Sequence, residues 1–122
     1  MSGALIVTAD FAAVDFAFFD GDRRAHFPPE RNILAAHLTM FHALPPSVEP
    51  ELRRRLAAVA DRPAPRAMLA GLRSLGSGVA RDLLIAKKRH FVPRPVGIAG
   101  LALHRYMDGP WNTLQRWPFR GT

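Results

Sequence analysis

The chain has no cysteine among its 122 residues, which excludes disulfides and thiolate metal ligands. No uninterrupted apolar run reaches the roughly 20 residues that a membrane-spanning helix requires. The amino-terminal Leu5-Ile6-Val7 segment also lacks the basic start and long apolar stretch of a secretion signal. Acidic side chains are scarce in the second half: residues 62–122 carry two Asp/Glu against eleven Lys/Arg, whereas residues 1–61 carry eight against six. The formal net charge of +7 therefore belongs to one half of the chain. Such a half either attracts a phosphate-rich partner over long range or forms a solvated arginine-rich surface.

At 48% hydrophobic residues the chain can bury a core, and its length is that of one domain, expected over residues 1–122. Cytoplasm is the expected location. Leu5-Ile6-Val7-Thr8 reads as a first strand because it is apolar and rich in β-branched side chains. Asp10 can cap a following helix in which Phe11, Val14 and Phe18 recur near helical spacing, with Gly21 and Pro28-Pro29 disrupting its later part and leaving His26 in a turn or loop. Phe16 and Phe19 read as packing groups.

The stretch 33–44 reads as a second strand, closed by Pro45-Pro46. A helix is expected over Glu49–Ala60, with Leu52, Leu56 and Val59 as its apolar stripe and Arg53, Arg54 and Arg55 toward solvent. Residues 67–72 begin another strand, Gly76-Ser77-Gly78 turns the chain, and Val79–Ile85 returns as a strand. Lys87-Lys88-Arg89-His90 is a local basic patch. The last unit reads as a hairpin, Gly100–Tyr106 and Trp111–Phe119 about an Asp108-Gly109-Pro110 turn, with His104 and Tyr106 on one face and the aromatics Tyr106, Trp111 and Trp117 packing in the core.

His37-Leu38-Thr39 carries the most chemical information. In a strand, residues two apart share a face, so an imidazole and a hydroxyl can point together at a phosphoryl oxygen while Leu38 packs behind them. The same pair also fits an ordinary hydrogen-bonded couple.

The segment Phe27–Leu44 containing this tripeptide resembles the first active segment of 2'-5' RNA ligase-like proteins in the 2H phosphoesterase superfamily. Leu69–Ala80 is similar to the following hairpin of that family, and Gly100–Trp111 to the terminal hairpin of one bacterial branch. The resemblance implies a trimmed 2H phosphoesterase-like α+β fold, with an antiparallel or mixed sheet and two main helices. It implies two His-x-Thr or His-x-Ser motifs facing one phosphodiester groove. The second motif is absent: His90 is followed by Phe91-Val92 and His104 by Arg105-Tyr106.

Opening a 2',3'-cyclic phosphate requires a base for water and an acid for the departing ribose oxygen, roles that suit two histidines near neutral pH. The resemblance assigns acid or base work to His37 and phosphate binding to Thr39. His104 is the best replacement for the missing histidine, with His42 and His90 behind it. Neither direction of the family's reaction calls for a metal or nucleotide cofactor. The partners implied are RNA ends or cyclic nucleotides, with Arg73, Arg81, Lys87, Lys88 and Arg89 attracting them, and no membrane. The competing expectation is a noncatalytic RNA- or nucleotide-binding remnant. A homodimer would cover the edge left by the lost segment and bring two His37-Thr39 units to a shared groove.

Overall fold

The computed structural model describes residues 3–26, 34–72 and 78–120, with side chains for all of these except 78–81. Two compact units divide the chain, Met1–Pro65 with Gly97–Thr122, and Arg66–Val96. In chain order the elements are β1 (Leu5–Phe11), α1 (Ala13–His26), β2 (Leu38–Leu44), a 3-10 turn (Pro46–Val48), α2 (Glu49–Ala60), β3 (Arg66–Leu69), α3 (Gly78–Lys88), β4 (Arg94–Tyr106) and β5 (Trp111–Pro118). The fold is α+β.

In the first unit β1 pairs antiparallel with β2 and β4, and β4 pairs antiparallel with β5. The strand order there is β2-β1-β4-β5. Strand alternation then sorts the two faces. Leu5 stands opposite Arg105, and Val7 opposite Leu103, which in turn stands opposite Gln115. α2 covers this face: Glu49 accepts from Arg105 at 2.7 Å, and Arg53 donates to Gln115 at 2.6 Å. Leu5, Val7 and Leu103 are fully buried beneath it, with Leu56 and Ala60 as the buried residues of the helix. Each such leucine contributes about 1.5–3 kcal/mol by leaving water. The opposite face carries Thr8, Asp10, His104, Thr113 and Arg116, and is therefore polar.

α1 is pinned at its start to β4. The Ala12 N–H donates to the Gly97 carbonyl at 2.8 Å, and the buried Asp15 carboxylate accepts the Gly97 N–H at 2.9 Å. A Cβ on residue 97 would come within 2.8 Å of the Ala12 Cβ, so this approach requires glycine. The β4–β5 turn has Asp108 and Gly109 at positive φ, closed by Met107 N–H to the Pro110 carbonyl.

Several expectations are met and several overturned. α2 and the terminal hairpin fall where the sequence places them, whereas β1 starts at Leu5 but runs on to Phe11. Asp10 and Phe11 are therefore strand residues and not the cap and first apolar position of α1, and Val14 and Phe18 are exposed. Val79–Ile85 is not a strand: it lies inside α3, because an apolar run of that length fits either state and its helical register extends to Lys87 and Lys88. Three helices are present among the described residues, not two main ones. α1 runs through Gly21 to His26, so the single glycine costs helix propensity without breaking it. His26 closes the helix and pairs with Asp22 at 3.5 Å. Val59 is 44% exposed and does not belong to the α2 core stripe. Arg54 and Arg55 pair with Glu51, and Arg53 pairs with Glu49, which makes this run an ion-paired helix surface. Pro28-Pro29, Arg73 and Gly76-Ser77 lie outside the described residues.

The second unit contains β3, α3 and the opening residues of β4, the strand with which β3 pairs. No helix among the described residues is long and apolar enough to cross a membrane.

Candidate functional site

A cavity of about 510 Å³ opens on the polar face of the first unit, and His37 and His104 both line it. They reach it from different parts of the chain. His37 precedes β2, whose hydrogen-bonded strand starts only at Leu38; the expected strand over 33–44 is shorter because 34–37 is held by α1 instead. Asp20 Oδ1 accepts the Ala36 N–H at 2.9 Å, and Arg23 Nε donates to the Leu34 carbonyl at 2.8 Å. The Ala36 amide and the Arg24 guanidinium beside it hold the Asp20 carboxyl below its ordinary pKa. The His37 ring then donates Nδ1–H to the Ala35 carbonyl at 2.8 Å. A carbonyl can only accept, so this bond fixes the tautomer and leaves Nε2 as the lone-pair nitrogen.

His104 is the reverse case, a buried imidazole with both nitrogens engaged. Its Nε2 lies 2.8 Å from Thr8 Oγ1 on β1, and its Nδ1 lies 2.9 Å from Thr113 Oγ1 on β5. A bulge makes the second contact. Leu103 pairs with Gln115 but His104 pairs with Thr113, so Leu114 is the extra residue and the register delivers a hydroxyl where a leucine would otherwise stand. Burial lowers the His104 pKa, Arg116 and His37 add to that, and Asp10 opposes it.

Trp111 joins the two histidines. Its ring centroid is 4.7 Å from that of His37, edge-on, and 5.3 Å from that of His104. Arg116, paired with Asp10, and Phe16 complete the lining that matters for chemistry. A neighbouring cavity of about 280 Å³ shares Trp111 and is lined by His42 and Tyr106.

Thr39 stands directly opposite Thr8 in the β1–β2 register, exposed and outside the cavity lining. Lys87 and Lys88 end α3 in the second unit and Arg89 and His90 follow it; the Arg81 side chain lies outside the described residues. Phe16 is 38% exposed on the cavity wall, whereas Phe19 packs on Phe11 at 4.9 Å. Tyr106, Trp111 and Trp117, expected in the core, are all half-buried, and nothing in the sequence singles out Thr8, Thr113 or Arg116 as site residues. Alternation along β4 identifies the face on which His104 stands, but its partners there come from β1 and β5, and only strand pairing and the bulge set which residues those are. Among the described residues no group of three or more His, Asp or Glu gathers at ion-binding spacing.

The first unit is thus an antiparallel sheet with two histidines on one cavity of mixed polar and apolar lining. No family model and no curated protein matches the chain. Among solved structures it is similar to crystal structures of E. coli LigT: the phosphate complex at 19% identity and a TM-score of 0.46, covering 98% of this chain and 99% of that one. The 3'-AMP complex matches at 20% and 0.45, covering 99% and 100%, and the NADP+ complex at 18% and 0.48, covering 98% and 99%.

Proposed function

We propose that the cavity is a phosphodiester site acting on RNA ends, in the manner of a 2',3'-cyclic phosphodiesterase or 2'-5' RNA ligase. The supporting observation is the convergence of His37 and His104 on Trp111 within one cavity that also presents hydroxyls and a guanidinium. His37 is the proton-transfer group. Its oriented ring offers Nε2 to a water attacking phosphorus, or, once protonated, to the departing ribose oxygen. Arg116 and the threonine hydroxyls face the phosphoryl oxygens. His104 exchanges protons with the cavity only through Thr8 or Thr113, since both of its nitrogens are engaged. The phosphate-binding role that its motif implies for Thr39 is confined to the rim beside Thr8, since this residue does not line the cavity.

Hydrolysis of a 2',3'-cyclic nucleotide and joining of RNA ends test this reading in the native chain and His37→Ala. Loss of about 10²–10⁴ in rate is expected on removing a general acid–base group. Absence of both reactions in folded native protein rejects the enzymatic form.

A second reading, RNA or nucleotide binding without turnover, is favoured by the occupied nitrogens of His104. Binding that weakens with salt and discriminates RNA from a phosphate-free polyanion, without turnover, would select it.

The assembly we propose is a homodimer through β2. Leu38, Met40 and Phe41 on this strand are 40%, 50% and 57% exposed, and β1 is its one strand partner among the described residues. Light scattering of the native chain and Phe41→Lys should show a dimer that becomes monomeric; a monomeric native chain rejects it.

A further inference from the structure

The two threonines on His104 obey a counting rule. A neutral imidazole has one N–H and one lone pair, so one of the two hydroxyls accepts from the ring while the other donates to it. The donating hydroxyl has then used its single proton and presents only lone pairs to the cavity. An imidazolium donates from both nitrogens, and both hydroxyls keep their protons for something else. Thr8 and Thr113 both line the cavity, so the charge state of His104 sets whether one or two O–H donors are available there.

We propose that Thr8 and Thr113 bind oxygens of a tetrahedral oxyanion, and that this binding is coupled to protonation of His104. The proposal rests on the phosphodiester reading of the cavity. The proton comes from solvent, goes to whichever His104 nitrogen holds the lone pair, and turns the hydroxyl there from donor to acceptor; that hydroxyl's proton then points at the anion. No covalent bond is made or broken outside this transfer.

The groups around His104 fit such a role. Burial favours the neutral ring in the empty cavity, and Arg116 on β5 and His37 before β2 act in the same direction, against Asp10 on β1. Tyr106, two residues along β4, faces the neighbouring cavity. An anion entering here adds a negative charge beside a ring that already has two hydrogen-bond acceptors in place, so the charge state of this ring responds, and reading its own nitrogens separates it from His37 on the same cavity. His104 is therefore a positioning residue: it touches the ligand through the hydroxyls.

The test uses sulfate, a tetrahedral dianion whose own charge is constant across the histidine range, with ¹⁵N NMR of the His104 ring in the intact chain. The expected result is a His104 titration that moves to higher pH on saturation, proton uptake on binding by calorimetry, and sulfate affinity that weakens with rising pH, approaching tenfold per pH unit. Thr113→Val should flatten that dependence, and Thr113→Ser should restore it. Saturable sulfate binding with the His104 titration unmoved overturns the coupling and leaves the phosphodiester reading standing. No saturable binding of sulfate or of a 2',3'-cyclic nucleotide overturns both.

Discussion

Asp20 accepts the backbone N–H of Ala36 at 2.9 Å, so a carboxylate in the middle of α1 holds the residue next to His37. The orientation of His37 therefore depends on a helix that shares no strand with it. Three hydrogen bonds, from Ala36 to Asp20, from Arg23 to Leu34 and from His37 to Ala35, fix a short segment that has no ladder of its own.

Asp20→Ala should reduce turnover of a cyclic nucleotide by about ten- to a hundredfold through loss of position. Asp20→Asn keeps an acceptor oxygen and should lose less. The lowered pKa adds a stability signature: the contribution of this carboxylate is complete above the usual value and is lost as pH falls through its lower folded value. Acid unfolding of Asp20→Asn should show a shallower limb in that range.

Stability should also respond to His104, with the opposite histidine sign from a salt-bridged one. Its folded pKa lies below the usual imidazole value of about 6.5, so the unfolded chain binds more protons between the two values. Unfolding free energy should therefore rise with pH through this interval and level off above it. Urea unfolding across a pH series should show the slope in the native chain and its loss in His104→Gln. The substitution itself should cost about 1–3 kcal/mol, since it disturbs one buried and one partly buried hydrogen bond.

Trp111 is the shared wall of the two histidines, and Trp111→Ala should impair both at once. Each aromatic contact is worth about 0.5–1.5 kcal/mol beyond burial, and the ring also limits how far His37 can swing. Phosphodiester turnover should fall in Trp111→Ala and largely return in Trp111→Phe. Comparable turnover in the alanine variant would show that the ring does not order the site.

Ala43 sits at φ 58°, where the β1–β2 register skips a residue between Leu5↔Leu44 and Val7↔Phe41. A left-handed alanine is strained by its Cβ, so Ala43→Gly should stabilise by about 0.5 kcal/mol and Ala43→Val destabilise by about 1–2 kcal/mol. Thermal or urea midpoints decide it. A glycine variant weaker than the valine would contradict the assignment of strain to this position.

Local chemistry was enough for much of this chain. The β-branched start of β1, the Glu49–Ala60 stripe between prolines and Asp61, and the Asp108-Gly109-Pro110 turn each carry their own instruction, because propensity and turn geometry act over a few residues. His37 and His104 were also legible as chemistry. Val79–Ile85 was not, since a short apolar run satisfies strand and helix alike and only its surroundings choose. The site itself was decided by tertiary structure. A bulge at Leu114 brings Thr113 to His104, strand pairing brings Thr8 to the other nitrogen, and α1 orients His37 through Asp20. These partners stand 9, 96 and 16 residues apart in the chain, and their meeting is set by register and packing, which composition and spacing do not encode.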